Sequence, residues 1–173
     1  MALGQERMES KRMIFREATI EERPFLFQEG YKEWPKNRTF EQYCFDNSKD
    51  DINGIRYILD EGGQIVCSAV ILQLESIDER TVYGFGSILT SQCFRGKGYG
   101  VELVKKCIAL NCNENTIIIL YSDINPSYYK KLGFRILPQE LQKYPKSICM
   151  AYCEDNAWHE LINVNKDIIP DYF

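Results

Sequence analysis

The run Phe94-Arg95-Gly96-Lys97-Gly98-Tyr99-Gly100 sets three glycines at alternate positions, with Arg95 and Lys97 among them. It stands directly ahead of an apolar pattern of helical spacing. Glycine lets backbone N–H groups converge with no side chain in the way, and the first-turn amides of a helix lack internal partners. With the helix dipole added, such a loop suits an anion, above all a phosphate. Two phosphate patterns are excluded by spacing. A Walker A loop needs Gly-Lys followed by Ser or Thr and a glycine five residues upstream; here Gly98 follows Lys97, and Ser91 stands upstream. A dinucleotide fingerprint needs G-x-G-x-x-G after a first strand, whereas Gly96, Gly98 and Gly100 have another interval and come late in the chain.

Other reactive residue types give weaker patterns. His159 is the only histidine, and no G-x-S-x-G accompanies it, so a surface position is the expectation. Cys93 adjoins the glycine loop. Asp123 and Glu33 are carboxylates that could take a proton, and each reads equally as a solvated side chain.

These residues need a frame. Met13–Ala18 suits a first strand, and 21–31 and 39–47 suit two short helices interrupted at Trp34-Pro35. Ile55–Leu59 alternates apolar residues, Glu61-Gly62-Gly63 supplies a turn, and Ile65–Leu72 returns as a hairpin partner. A charged loop over 76–80 leads to a strand over 82–90. Behind the glycines, Val101, Val104, Cys107 and Ile108 repeat at helical spacing with Lys105 and Lys106 opposite. Thr116–Tyr121 is β-branched without polar alternation, as in a strand covered on both faces. Strand, glycine loop, helix and buried strand make a βαβ unit. A short helix over 126–132 ends at Gly133, and a last strand spans about 147–152.

Two motifs now stand in register with that frame. Arg95–Gly100 fits [Q/R]-x-x-G-x-[G/A], and Tyr128-Tyr129-Lys130-Lys131-Leu132-Gly133-Phe134 follows one helix and one strand later. The sequence resembles the GNAT superfamily of acyl-CoA N-acyltransferases over about residues 13–152. It departs from the family's pattern at Gln92, where proline is frequent, and in a shortened Asn125-Pro126-Ser127. The resemblance implies one α/β domain with a mixed, mostly antiparallel central sheet flanked by helices. Residues 1–12 are then a flexible N-terminal arm, and 153–173 a C-terminal tail packed on the same domain.

It also implies transfer of an acetyl group from acetyl-CoA to a primary amine by direct attack, with no metal. Arg95, Gly96, Lys97, Gly98, Tyr99 and Gly100 are expected to hold the pyrophosphate, with Asn125 also toward the cofactor. Backbone amides at Ile88, Leu89 and Thr90 are expected to polarise the thioester carbonyl. Tyr129 is the expected proton donor to the leaving thiolate, since a phenol of pKa about 10 is close to a thiol. The resemblance names no base. The acceptor is expected to be a small-molecule or peptide amine near residues 30–47 and 76–80, where Tyr31, Trp34, Phe40 and Tyr43 cluster, with the tail's Trp158, Tyr172 and Phe173 capping that groove or joining a dimer contact. A longer acyl chain and a non-catalytic acyl-CoA sensor on the same fold are the alternatives.

Composition limits the partners. A length of 173 residues suits one domain, and 45% hydrophobic residues suit a globular core. The net charge of −4 argues against nucleic acid as the main partner. Seven cysteines without zinc spacing read as reduced thiols in a cytoplasmic protein. No signal-peptide core appears in 1–13 and no apolar run reaches spanning length, so a membrane is not expected; a homodimer is left open.

Overall fold

The computed structural model describes residues 12–173. Residues 1–11 of the expected arm lie outside the described residues. Seven strands form a single sheet: β1 (Met13–Glu17), β2 (Gly54–Glu61), β3 (Gln64–Gln73), β4 (Thr81–Thr90), β5 (Thr116–Ser122), β6 (Arg135–Ile136) and β7 (Ile148–Tyr152). Their order is β1-β2-β3-β4-β5-β7-β6, antiparallel everywhere except β4 against β5. The helices are α1 (Arg23–Glu33), α2 (Phe40–Asn53), α3 (Tyr99–Asn111), α4 (Ser127–Lys130) and α5 (Asp155–Leu161). None is long and apolar enough to cross a membrane.

The sheet divides two cores. On one face Leu103, Val104 and Cys107 of α3 pack on Leu59, Cys67, Phe85, Ile118 and Leu120, joined by Tyr129 and Phe134. On the other, Ala157 and Leu161 of α5 pack with Val82, Ile117, Ile119 and Cys149. The β-branched run of β5 serves both cores, which is why it reads as uniformly apolar. α1 and α2 lie opposite α3: Arg56, which alternates with the α3-facing Tyr57, sits 5.3 Å from the Phe27 ring of α1.

Three helices differ from the expectation drawn on the sequence. The first helix opens as a 3-10 turn, Ile20–Glu22, before α1 begins with Pro24 in its first turn. α2 starts where expected, with Thr39 and Gln42 forming a capping box, but continues to Asn53. Its C-terminal half is held by charge: Asp51 lies within ion-pair distance of Arg23 and Arg56. That polar half carries no apolar periodicity to read. α5 emerges within the 153–173 segment, its apolar positions too few to announce a helix.

Candidate active site

β4 and β5 are paired only from Thr81 to Gly84 against Thr116 to Ile119. Beyond Gly84 the strands part, so the β5-facing backbone of β4 has no strand partner. β4 is also irregular there. Ser68 pairs with Leu89 and Val70 with Gly86, leaving Ala69 opposite both Ser87 and Ile88. That is a β-bulge, and Ser87 adopts a left-handed φ of 48°. The strain re-aims the backbone at the point where the sheet opens.

One opening, about 470 Å³, lies between the end of β4 and the start of α3. Ile88, Leu89 and Thr90 form one wall, Gly96, Gly98 and Gly100 another, and Tyr128 and Tyr129 a third. Gly96 and Gly98 have φ values of 77° and 83°, and a Cβ on either would meet open space. Conformation, not crowding, requires glycine at these two positions. Gly100 is different, because a Cβ there would come within 2.7 Å of Tyr128 Oη. The Arg95 amide reaches Gln92 O, and the Glu102 amide reaches Gly98 O at 3.0 Å. No intervening N–H has an acceptor among the described residues. Six unpaired amides at a helix N-terminus make an anion cradle, so the loop fits a pyrophosphate.

The side chains of the loop have partners within the fold. Arg95 binds Glu33 at 2.6 Å and the Thr90 carbonyl oxygen at 3.1 Å, tying the loop to the end of α1. Lys97 lies 5.4 Å from the centroid of Phe94. The Tyr99 hydroxyl donates to Glu61 at 2.8 Å. Asn125 does not line the cleft; its side-chain oxygen accepts the Ser127 N–H at 3.0 Å and opens α4. Arg95 and Tyr99 still border the opening, but what the loop leaves unpaired is its backbone amides.

Tyr129 is 7% exposed, and its hydroxyl has no hydrogen-bond partner among the described residues. Burial pushes its pKa above the ordinary phenol value, so the group stays protonated and able to donate. Tyr128 lines the same cleft, with its ring centroid 5.0 Å from that of Tyr129. α4 is a single turn, too short for helical spacing to assign its faces.

A second cavity of about 430 Å³ lies on the other side of the bulge, and both openings share Trp34. Tyr43, Asp46 and Asp50 of α2 line it, with Ser87, Tyr172 and Phe173. Of the aromatic cluster, Trp34 and Tyr43 reach this cavity, while Tyr31 and Phe40 pack edge-on behind it. Residues 76–80 border neither opening. Arg80 is bound to Glu160 of α5 and to the Glu114 carbonyl oxygen. Asp123 is occupied too. Burial opposes its ionisation, but hydrogen bonds from Ser147 and Tyr172, with the Lys36 ammonium 3.6 Å away, hold its carboxyl below the usual value. His159 is exposed on α5, away from both openings. Nothing in the composition of β4 marks Ser87, because the bulge arises from its register against β3.

A family model described as the acetyltransferase (GNAT) family matches residues 16–134. Among curated proteins, none matches this sequence. Several solved structures share the fold. A GNAT family N-acetyltransferase (YhbS) from Escherichia coli, in complex with CoA, superposes with a TM-score of 0.68 at 15% identity, over 93% of this chain and 91% of that one. A GNAT family acetyltransferase from Brucella melitensis, in complex with acetyl-CoA, gives 0.60 at 16%, over 84% and 91%. A predicted acetyltransferase from Clostridium acetobutylicum with acetyl-CoA gives 0.58 at 16%, over 77% and 96%. The family match spans the unpaired glycine loop, the split between β4 and β5 and the tyrosine turn: the chain belongs to the GNAT acetyltransferase family.

Proposed function

We propose that the protein is an N-acetyltransferase that moves an acetyl group from acetyl-CoA to a primary amine by direct attack. The observation that carries this reading is the row of unpaired amides from Gly96 to Val101, opening onto the same cleft as the buried phenol of Tyr129. The loop amides bind the pyrophosphate. The bulged backbone over Ile88–Thr90 offers donors toward a carbonyl oxygen, a contribution worth roughly 3–4 kcal/mol where such donors have been removed from other enzymes. Acetyl-CoA supplies a thioester carbon open to attack by a neutral amine. Tyr129 Oη gives its proton to the departing sulfur, and the proton that the nitrogen loses as the amide forms restores the phenol. The second cavity, beyond the bulge, receives the amine.

The YhbS and Brucella proteins are described with CoA and acetyl-CoA respectively, which supports the donor assignment by family likeness. Thiol release from acetyl-CoA, measured across a panel of primary amines with mass detection of the acetylated product, tests the reading. Turnover with at least one amine is expected. Tight CoA binding without transfer to any amine would favour a sensor in its place.

A further inference from the structure

The second cavity is closed on one side by the last residues of the sequence, and the fold makes specific provision for them. Gly84 and Gly86 fall on the same face of β4, where glycine weakens a strand. A Cβ on Gly84 would come within 2.7 Å of the Phe173 ring, and one on Gly86 within 3.6 Å. Gly84 clears the bed for that ring, while a Cβ on Gly86, just before the bulge at Ser87, would make only ordinary contact with it.

The segment leading there is fastened at each step. Tyr121 Oη donates to the Pro170 carbonyl oxygen at 2.5 Å, and Lys143 pairs with Asp171 at 3.0 Å. The Tyr172 N–H donates to Tyr144 Oη at 3.2 Å. Tyr172 Oη then accepts from Lys36 and donates to Asp123, each at 2.7 Å. Lys36 belongs to the α1–α2 connection and Asp123 follows β5, so the tyrosine bridges two sides of the cavity. A segment held at five points is a stiff wall.

The charges around this space are unequal in their commitments. Lys36 is engaged by Tyr172 and Asp123, and Arg38 by Asp46. Asp50 lines the cavity with neither an ion pair nor a side-chain hydrogen bond among the described residues. Burial raises the pKa of Asp50 while Arg56 and Arg38 lower it, and an ammonium seated beside this half-buried carboxyl would hold it ionised.

Building on the transferase reading above, we propose that Tyr172 and Phe173 are specificity-determining residues, forming the wall that sizes the acceptor subsite for a compact primary amine. A bulkier acceptor meets the Phe173 ring before its nitrogen reaches the bulge. Removing the ring joins its volume to the cavity.

The test uses primary amines graded in bulk, from ethylamine through n-hexylamine to 2-phenylethylamine. kcat/KM is compared between the wild type, Phe173→Ala and the milder Phe173→Leu. In parallel, calorimetry measures binding of the same amines to CoA-loaded protein. The wild type is expected to favour the compact members. Phe173→Ala should shift the bulky-to-compact ratio at least tenfold toward bulk, with Phe173→Leu between, while the KM for acetyl-CoA stays within twofold. A ratio that moves less than twofold in both turnover and binding overturns the wall assignment, as does absence of amine binding altogether. Failure of transfer to every amine, with a Phe173-dependent shift in binding, would remove the transferase reading and leave the wall in place.

Discussion

At the scale of single residues, Tyr129 separates structure from chemistry unusually well. Its ring packs against Tyr128 and Phe134, at centroid distances of 5.0 and 6.0 Å, while its hydroxyl bonds to nothing among the described residues. Phenylalanine therefore fits the same space and loses only the proton. For Tyr129→Phe we expect an unchanged fold, a KM for acetyl-CoA within twofold, and a kcat lower by about 10²-fold, the small end of general-acid effects. Because burial raises the pKa of this phenol, the wild-type rate should not fall through an ordinary phenol titration on the alkaline side. Steady-state kinetics over a pH series decide the matter. An unchanged kcat would remove Tyr129 from the mechanism. The prediction concerns one oxygen atom, and the motif position rather than the residue type brought it to attention, since the chain has 11 tyrosines.

At the scale of elements, the entry to α1 is pinned by charge. Arg16 of β1 reaches Glu22 at 2.7 Å and Asp60 of β2 at 2.8 Å, joining the 3-10 turn to the sheet. The hydrogen bond from Arg16 holds the Glu22 carboxyl at about 2, below its ordinary 4.5. A depressed acid stabilises the fold above its unfolded value and loses that contribution as pH falls through its folded one. Stability should therefore decline between pH 4.5 and about 2. Discounted for solvent screening of a partly exposed pair, the contribution is about 1 kcal/mol. Urea unfolding of wild type and Glu22→Gln should differ by that amount near neutrality and converge toward pH 2. A gap that persists in acid would mean that Glu22 acts through packing.

The elements also show what a sequence can announce. Strand β2 and helix α3 were legible from a buried face of fixed period, and β3 and β5 from continuous apolar runs covered on both faces. The glycine loop was legible because few other uses explain three alternating glycines ahead of a helix. The bulge at Ser87 was not, since it arises from a mismatch in register between β3 and β4 rather than from either strand alone. Nor was the role of Arg95 in binding Glu33, because the two lie 62 positions apart and meet only once α1 is laid across the sheet. The second cavity was legible in part: Trp34, Tyr43 and Phe173 were expected around one groove, whereas Ser87 reaches it only through the bulge.

At the scale of the whole molecule, the two cores share one sheet, and the buried thiols report on both. Burial pushes Cys67 up to about 11 and Cys107 and Cys149 up to about 12, so none is a reactive thiolate while folded. Cys67 and Cys107 lie in the core under α3, and Cys149 in the core under α5. β5 supplies Ile118 and Leu120 to the first core and Ile117 and Ile119 to the second, which couples them through a single strand. If the sheet opens as one unit, all three thiols become reactive with the same free energy, whereas exposed Cys93 labels at once. CoA that binds only the folded state adds about 2.7 kcal/mol at a hundred times its Kd, so it should slow labelling of all three by about 100-fold. Pulsed alkylation with mass detection, with and without CoA, reads each cysteine separately. Faster labelling of Cys149, unaffected by CoA, would show that the layer carrying α5 and the Tyr172-Phe173 wall opens by itself. Equal protection would instead bind the wall of the second cavity to the global stability of the sheet, so that loss of the wall and loss of the fold are one event.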